Sequence, residues 1–343
     1  MDFKKTTLKD IAKELELSAA SVSRALKDSF EISEQTKILV RECARRLNYR
    51  PNLAAQIIKR GNSRSIGVIV SAIDNQFFSQ VIDGIESIAQ AKDYNVIITQ
   101  SHESSELEFR NVNDLTTQAI DGLLMSLSTE TTDVSYLKKL QEKGLPIVFF
   151  DRISDGINTH KVIADNFTGA FEATKQLIKA GYRQIAHITS SDNVSITSER
   201  LKGYRLALEQ NGITVNERYI KYCQHGGKDR KEIENALSEL LYAEDRPDAI
   251  FTASDRITTT VLSLLHRLKV NIPDDIALFG FSNMEEAGIL NPTLSAVYQP
   301  GVEMGKKAAE MLISLMEDKQ PTTEFETVVL PTQIFIRRSS QSK

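Results

Sequence analysis

From Ser65 onward the chain alternates short, unbroken apolar runs with longer amphipathic stretches, and this alternation limits the fold more than any other feature. The runs are Ile66–Val70, Val96–Thr99, Gly122–Met125 and Ile147–Phe150, followed by Val162–Ala164, Ile185–Ile188, Ala249–Phe251 and Ile276–Phe279. A strand covered on both faces shows no polar side, so it reads as a continuous apolar run and not as an alternation. Helices between such strands return the chain for parallel pairing. Two series of four predict an α/β body of two doubly wound lobes with parallel sheets. Lobe one is expected at about 65–160 plus 293–322, and lobe two at about 161–290 plus 326–338. Ligands in such folds bind beyond the carboxyl ends of the strands. That rule directs attention to Asp74–Phe78, Asp151 and Arg152, Asp165 and Asn166, the 190–200 loop, Ser254 and Asp255, and Ser282 and Asn283.

The first sixty residues follow a different pattern. Leu8, Ile11, Ala12 and Leu15 share one face of a short helix that Thr7 can cap, with Asp10 in its first turn. After a break of about three residues, Ser18 caps a second helix whose Val22, Ala25 and Leu26 point inward. Two short amphipathic helices joined this tightly are the sequence form of a helix-turn-helix. The outer face of the second carries small residues and Arg24, so it can enter a major groove without steric conflict. Ser33 caps a third helix, in which Ile38, Leu39, Cys43 and Leu47 recur at helical spacing. Asn52 then caps Leu53–Lys59, about two turns. A helix that short is marginal alone, which suits a hinge that forms only against a partner copy or DNA. The head is therefore expected over 5–61, its hinge over about 52–60, and the body over 62–340.

Charge divides the chain in the same place. Residues 1–61 hold 13 Lys/Arg against 8 Asp/Glu, a net of +5, and the remainder carries −9. A basic head on an acidic body can approach phosphates while the body stays off the DNA. Cys43 and Cys223 fall in different expected domains and make neither a disulfide framework nor a metal site. No apolar run approaches the roughly 20 residues that span a bilayer. The N-terminus lacks an apolar signal region. The expected location is the cytoplasm, with no membrane partner and no cofactor.

These residues resemble the lactose-repressor-like (LacI/GalR) family of bacterial transcription regulators. In the head the resemblance rests on Leu8–Ala12, Ser21–Arg24, Ile32–Thr36 and Leu47–Asn52. In the body it rests on Ser65–Val68, Asn75–Phe78, Phe150–Arg152, Glu199 and Arg200, Gly203 and Tyr204, Ser254 and Asp255, Ile272–Asp275, and Gly280 and Phe281. It implies a LacI-type helix-turn-helix head, a periplasmic-binding-protein-like body, and a homodimer on near-palindromic double-stranded operator DNA. The tail from Arg337 lacks leucine heptads, so the tetramer-forming coil of some members is not expected.

The resemblance assigns DNA contact to Thr7, Ser18, Ala19, Ala20, Ser21, Ser23, Arg24, Tyr49, Asn52, Ala55, Ile58 and Lys59. Arg24 can donate two hydrogen bonds to guanine O6 and N7, worth about 1–3 kcal/mol of discrimination; a phosphate contact or a solvated charge is the plainer alternative. Ala19 and Ala20 offer only methyl contacts, while Ser23, Tyr49 and Asn52 suit phosphates. Ile58 stands where the family usually has a leucine that wedges between base pairs, and packing against a partner hinge is compatible with that role. Glu16 departs from the glycine common in the turn, which implies an altered or slightly strained turn.

For the effector, the resemblance implies a small molecule between the lobes, a saccharide or sugar derivative. The positions are Phe77, Phe78, Asp151, Arg200, Ser254, Asp255 and Ser282. Aromatic rings can stack on a pyranose, or simply pack in the core. Asp151 and Arg200 can make charge-assisted hydrogen bonds to vicinal hydroxyls, the alternative being a salt bridge. Ser282 replaces a common aspartate, and Ala119 and Ala164 stand where some sugar-binding members have arginine and phenylalanine, so a roomier pocket is expected. His225 is a weaker candidate. The function expected is a ligand-controlled, sequence-specific DNA-binding regulator, a repressor. Two other classes remain: a solute-binding receptor without a DNA role, and an α/β enzyme acting on a sugar. The five scattered histidines and the lack of a nucleophile elbow, P-loop or dinucleotide fingerprint argue against the enzyme.

Overall fold

Burial on both sheet faces organises the body, as the apolar runs require. The computed structural model describes residues 6–49, 62–191, 194–318, 322 and 324–341. The chain divides into two units, Met1–Ser63 and Arg64–Lys343.

In the first unit, α1 (Leu8–Glu14), α2 (Ala19–Leu26) and α3 (Glu34–Arg46) enclose Ile11, Ala12, Val22, Ala25, Val40, Cys43 and Ala44. Thr7 precedes α1, and its amide and hydroxyl both donate to Asp10 Oδ2, at 2.7 and 2.8 Å. Ser18 and Ser33 cap α2 and α3 by accepting from the amides of Ser21 and Thr36. Glu16 takes φ +54° in the turn between α1 and α2. The turn keeps its left-handed residue, without the glycine that would adopt it at least cost. The inward face of α3 differs from the expectation. Ile38 and Leu39 are exposed, while the expected Cys43 is buried together with Lys37, Val40 and Ala44. The spacing Val40–Cys43–Ala44–Leu47 is equally helical, and the packing against Ile11 and Val22 selects it.

In the second unit, sheet one has the order β11-β5-β4-β3-β1-β2, all parallel: β1 (Ser65–Val70), β2 (Asn95–Gln100), β3 (Gly122–Met125), β4 (Ile147–Phe150), β5 (Lys161–Ala164) and β11 (Thr327–Leu330). Sheet two runs β12-β10-β9-β8-β6-β7: β6 (Ile185–Ser190), β7 (Ile220–Cys223), β8 (Ala249–Thr252), β9 (Ala277–Phe281), β10 (Ser295–Tyr298) and β12 (Gln333–Phe335), with only β12 antiparallel. Strand periodicity sends neighbours to opposite cores. Val68, Val70, Val148 and Phe150 meet α4 (Gln76–Ala91) and α11 (Gly301–Glu317), while Ile69, Ile147 and Phe149 meet α5 (Ser105–Thr117) and α6 (Ser135–Glu142). Sheet two lies likewise between α7 (Asn166–Lys179) with α8 (Ser195–Gln210) and α9 (Arg230–Leu241) with α10 (Asp255–Arg267).

The lobe boundaries need correction. Lys161–Ala164 and Thr327–Leu330 were expected in lobe two, but they pair in sheet one. Ser295–Tyr298 was expected in lobe one, but it pairs with β9 in sheet two. The chain thus crosses between lobes at 164–166, 298–301 and 330–333. An apolar run announces a buried strand and carries no label for its sheet. In lobe one, α4 and α11 approach so closely that a Cβ on Gly84 would meet the Val302 carbonyl oxygen at 2.1 Å, and one on Gly305 would meet that of Val81 at 2.0 Å.

Candidate functional site

The outer face of α2 presents Ala19, Ala20 and Arg24 exposed, with Ser21 and Ser23 partly so, because Val22 and Ala25 face the core. The hydroxyls of Ser18 and Ser21 lie 2.9 Å apart and are occupied with the helix cap. Thr7 is exposed at the start of α1. Tyr49 is partly buried against the head core, and burial pushes its pKa up. Arg24 is not a free charge: its Nη1 lies 2.6 Å from Glu31 Oε2. Asn52, Ala55, Ile58 and Lys59 lie outside the described residues.

In the body, the carboxyl ends of both sheets face each other and polar side chains join the lobes. Arg256 Nη2 lies 2.6 Å from Asp74 Oδ1, Asn283 Nδ2 donates to Gln80 Oε1 at 2.6 Å, and Lys228 Nζ donates to the His102 carbonyl at 2.8 Å. Buried charges stand at these strand ends in both lobes, Asp151 in lobe one and Arg200 in lobe two among them. Asp151 follows β4 with φ +58°, an uncommon conformation for a residue with a Cβ and one that strained ligand sites favour. It is 3% exposed, and burial raises its pKa against the pull of Arg152 and Arg200. Among the described residues its Oδ1 has no hydrogen-bond partner.

Arg200, on α8, is 2% exposed. Its Nε donates to Asn166 Oδ1 at 2.8 Å, its Nη1 to the Ala253 carbonyl, and its guanidinium carbon lies 3.7 Å from the centroid of the Phe281 ring. Nη2 is unpartnered. Burial without a carboxylate in contact pulls its pKa down to about 9. The ends of neighbouring strands add Ser101 Oγ, Ser126 Oγ and Gln299 Nε2, also buried and outside hydrogen-bond geometry. Buried polar atoms are normally paired. A group of unpaired donors and acceptors from both lobes suits a ligand rich in hydroxyls.

Other expected positions fall differently. Phe77 and Phe78 are 4% and 2% exposed in the core of lobe one, so packing accounts for both rings and neither offers an open stacking face. Ser254 caps α10 through the Ile257 amide at 3.3 Å. Ser282 Oγ donates to Asp255 Oδ1. Ala164 lies in the core beside Phe78. Ala119 is exposed beyond α5, at the amino end of β3 and away from the cleft. His225 is exposed and its Nδ1 lies 2.8 Å from Glu232 Oε1. A cavity of about 450 Å³ opens at one flank of the cleft, beside Asp74–Gln76, Lys228, Arg256 and Met284, and it includes Asp255 alone of the expected effector residues.

The charge network behind Asp151 was not foreseen. Arg152 Nη1 lies 2.6 Å from Glu103 Oε2, and Arg152 Nε lies 3.9 Å from Asp151 Oδ2. Burial pushes the Glu103 pKa up, but Arg152 and the Thr129 amide outweigh it and hold the carboxyl below its ordinary value. Glu103 reaches this place through two consecutive left-handed residues, His102 at +49° and Glu103 at +63°. In sequence it sits in Ser101–Glu106, which reads as a solvated loop. Asn166 and Arg152 lay at strand ends already singled out; Gln299 carried no signal.

Known proteins resemble both units. The family "Bacterial regulatory proteins, lacI family" matches residues 7–52, and the "Periplasmic binding protein-like domain" matches 174–340. The ribose operon repressor of Haemophilus influenzae is 30% identical over 98% of this chain and 99% of its own length. The probable HTH-type transcriptional regulator EndR of Paenibacillus polymyxa is 31% identical over 98% and 99%. A solved transcriptional regulator CelR–cellobiose complex covers 98% of this chain and 100% of its own, with TM-score 0.71 and 27% identity. The lac repressor dimer bound to operator superposes with TM-score 0.80 over 99% and 100%; at 22% identity it speaks for the fold alone.

Proposed function

The chain belongs to the lacI family of bacterial regulatory proteins, and from that premise we propose how its two units divide the work of a DNA-binding transcriptional regulator. The head, as one half of a homodimer, reads a near-palindromic operator, with α2 in the major groove and Arg24 on a guanine. Thr7, Ser18, Ala19, Ala20, Ser21, Ser23 and Tyr49 complete the contact, and Asn52, Ala55, Ile58 and Lys59 extend it. The body takes a small saccharide between its lobes and does no chemistry on it. The protein acts as a cytoplasmic repressor.

One observation carries the effector reading. Asp151 from lobe one and Arg200 from lobe two are both buried, and each keeps a polar atom without a partner among the described residues. A neutral polyol can donate to Oδ1 and accept from Nη2 at once, tying the lobes together. Arg152, Glu103, Ser254, Asp255 and Ser282 frame that exchange. The relatives point the same way: one is named for a ribose operon, and another was solved with cellobiose. A ligand that favours one lobe arrangement shifts DNA affinity through a coupling free energy of about 1–3 kcal/mol.

The test is a thermal-shift screen of mono- and disaccharides, followed by gel retardation of selected DNA with and without any hit. A ligand at 100 times its dissociation constant stabilises by about 2.7 kcal/mol. Turnover of the sugar would support an enzyme instead. DNA-independent sugar binding, with no DNA retained at low salt, would support a solute receptor.

A further inference from the structure

The arginine on the reading face of α2 is held by a carboxylate from outside that helix. Arg24 Nη1 and Glu31 Oε2 are 2.6 Å apart, with both side chains about half exposed at 51% and 49%. Glu31 lies in the segment between α2 and α3, and that segment is fixed. Asp28 turns the chain at φ +59°, and its Oδ1 lies 3.1 Å from Lys37 Nζ and 2.8 Å from Arg41 Nη2 on α3. The Ser29 amide donates to the Arg24 carbonyl at 3.1 Å, the Ile32 amide donates to the Ser29 carbonyl at 3.3 Å, and Ile32 packs on the head core. The backbone therefore holds Glu31 beside the last turn of α2.

Two consequences follow from the chemistry of the guanidinium. It is a planar fork of five donors. With Nη1 on Glu31, the Nε and Nη2 edge is left as two parallel donors, the arrangement that matches guanine O6 and N7. An arginine already engaged by a carboxylate is also less available to a phosphate, and Glu31 itself is repelled by the DNA backbone. We propose that Glu31 is a positioning residue that sets the base specificity of Arg24, by orienting its guanine-reading edge and by opposing its use as a general phosphate contact. This rests on the DNA-reading role of the head given above.

The test uses the full-length protein. Duplexes are selected from a random pool, and dissociation constants are measured for the selected site, for that site with the guanine read by Arg24 replaced, and for random DNA. Wild type, E31Q, E31D and R24A are compared. Because an exposed ion pair adds little to stability, E31Q is expected to unfold at the wild-type temperature. It should bind random DNA several-fold more tightly, and its preference for the guanine site should fall by about tenfold. The slope of log affinity against log salt on random DNA should steepen by about one, as Arg24 gains a phosphate. E31D should restore most of the preference. Equal tightening on all DNAs would mean that only a negative charge was removed, and it would overturn the proposal. So would an unchanged preference and slope, or an R24A protein that keeps the guanine preference. If wild type selects no DNA, the DNA-reading role fails first.

Discussion

Ser282 Oγ donates to Asp255 Oδ1 at 2.6 Å, joining the end of β9 to the start of α10. The family resemblance leads one to expect a carboxylate at 282, and here the neighbouring Asp255 brings one to the same corner. Burial raises the Asp255 pKa, and the Ser282 hydroxyl opposes that rise. A carboxyl whose folded pKa is raised contributes stability below its unfolded pKa, and loses it as pH rises through the folded value. Ser282→Ala removes the opposing hydrogen bond, so the loss should grow. The variant should be less stable than wild type by about 1–2 kcal/mol at pH 7, with the gap narrowing as pH falls through the raised folded pKa toward about 4. Chemical denaturation of both proteins across that range checks this.

Arg200 is tied to Asn166, the Ala253 carbonyl and the face of Phe281. Arg200→Lys keeps a cation and loses the fork and the stack. It should fold, bind operator DNA like wild type without ligand, and show no saccharide-dependent thermal shift. Arg200→Ala leaves buried groups unpaired and should cost the body about 2–4 kcal/mol as well. Paired thermal-shift and DNA-retardation measurements separate the two effects.

The close approach of α4 and α11 leaves no room for a methyl group at Gly84, where a Cβ would meet a backbone oxygen at 2.1 Å. A backbone carbonyl cannot swing aside as a side chain can. Gly84→Ala should destabilise lobe one by about 3 kcal/mol, read as a lower urea midpoint. Gly144, with nothing within 4 Å of its added Cβ but φ +96°, should instead show only the smaller backbone cost on the same substitution.

Glu16 holds φ +54° in the turn between the first two head helices. Glu16→Gly should relieve a left-handed strain of about 1–2 kcal/mol. Part of that gain returns through the greater freedom of glycine in the unfolded chain. A net stabilisation of about 1 kcal/mol should appear as slower hydrogen exchange at the buried Val22 and Val40 amides.

The fold was legible in most strands covered on both faces, although the buried inner strand Ser295–Tyr298 was missed. Runs such as Val68–Val70 and Val148–Phe150 are apolar at every position, because alternate residues enter opposite cores. The strands Thr327–Leu330 and Gln333–Phe335 escaped notice because they are edge strands of only four and three residues with alternate residues exposed. Sheet membership was illegible for a different reason: pairing partners distant in sequence decide it, as with Lys161–Ala164 beside Thr327–Leu330. In the cleft, Asp151 and Arg200 stood out because charges beside buried strands need a purpose. Glu103 did not, because a glutamate among serines reads as solvated until backbone geometry turns it inward.

The measurement closest to the central claim is the affinity of full-length protein for its selected operator, titrated with a saccharide found by thermal shift, in wild type and Arg200→Lys. Wild type should retain the DNA at low salt and change its affinity by about 5- to 150-fold on saturation with the sugar. Arg200→Lys should retain the DNA with an affinity that the sugar leaves unchanged. A wild-type protein that binds the sugar but holds no DNA at low salt, or holds it identically with and without the sugar, would contradict the account.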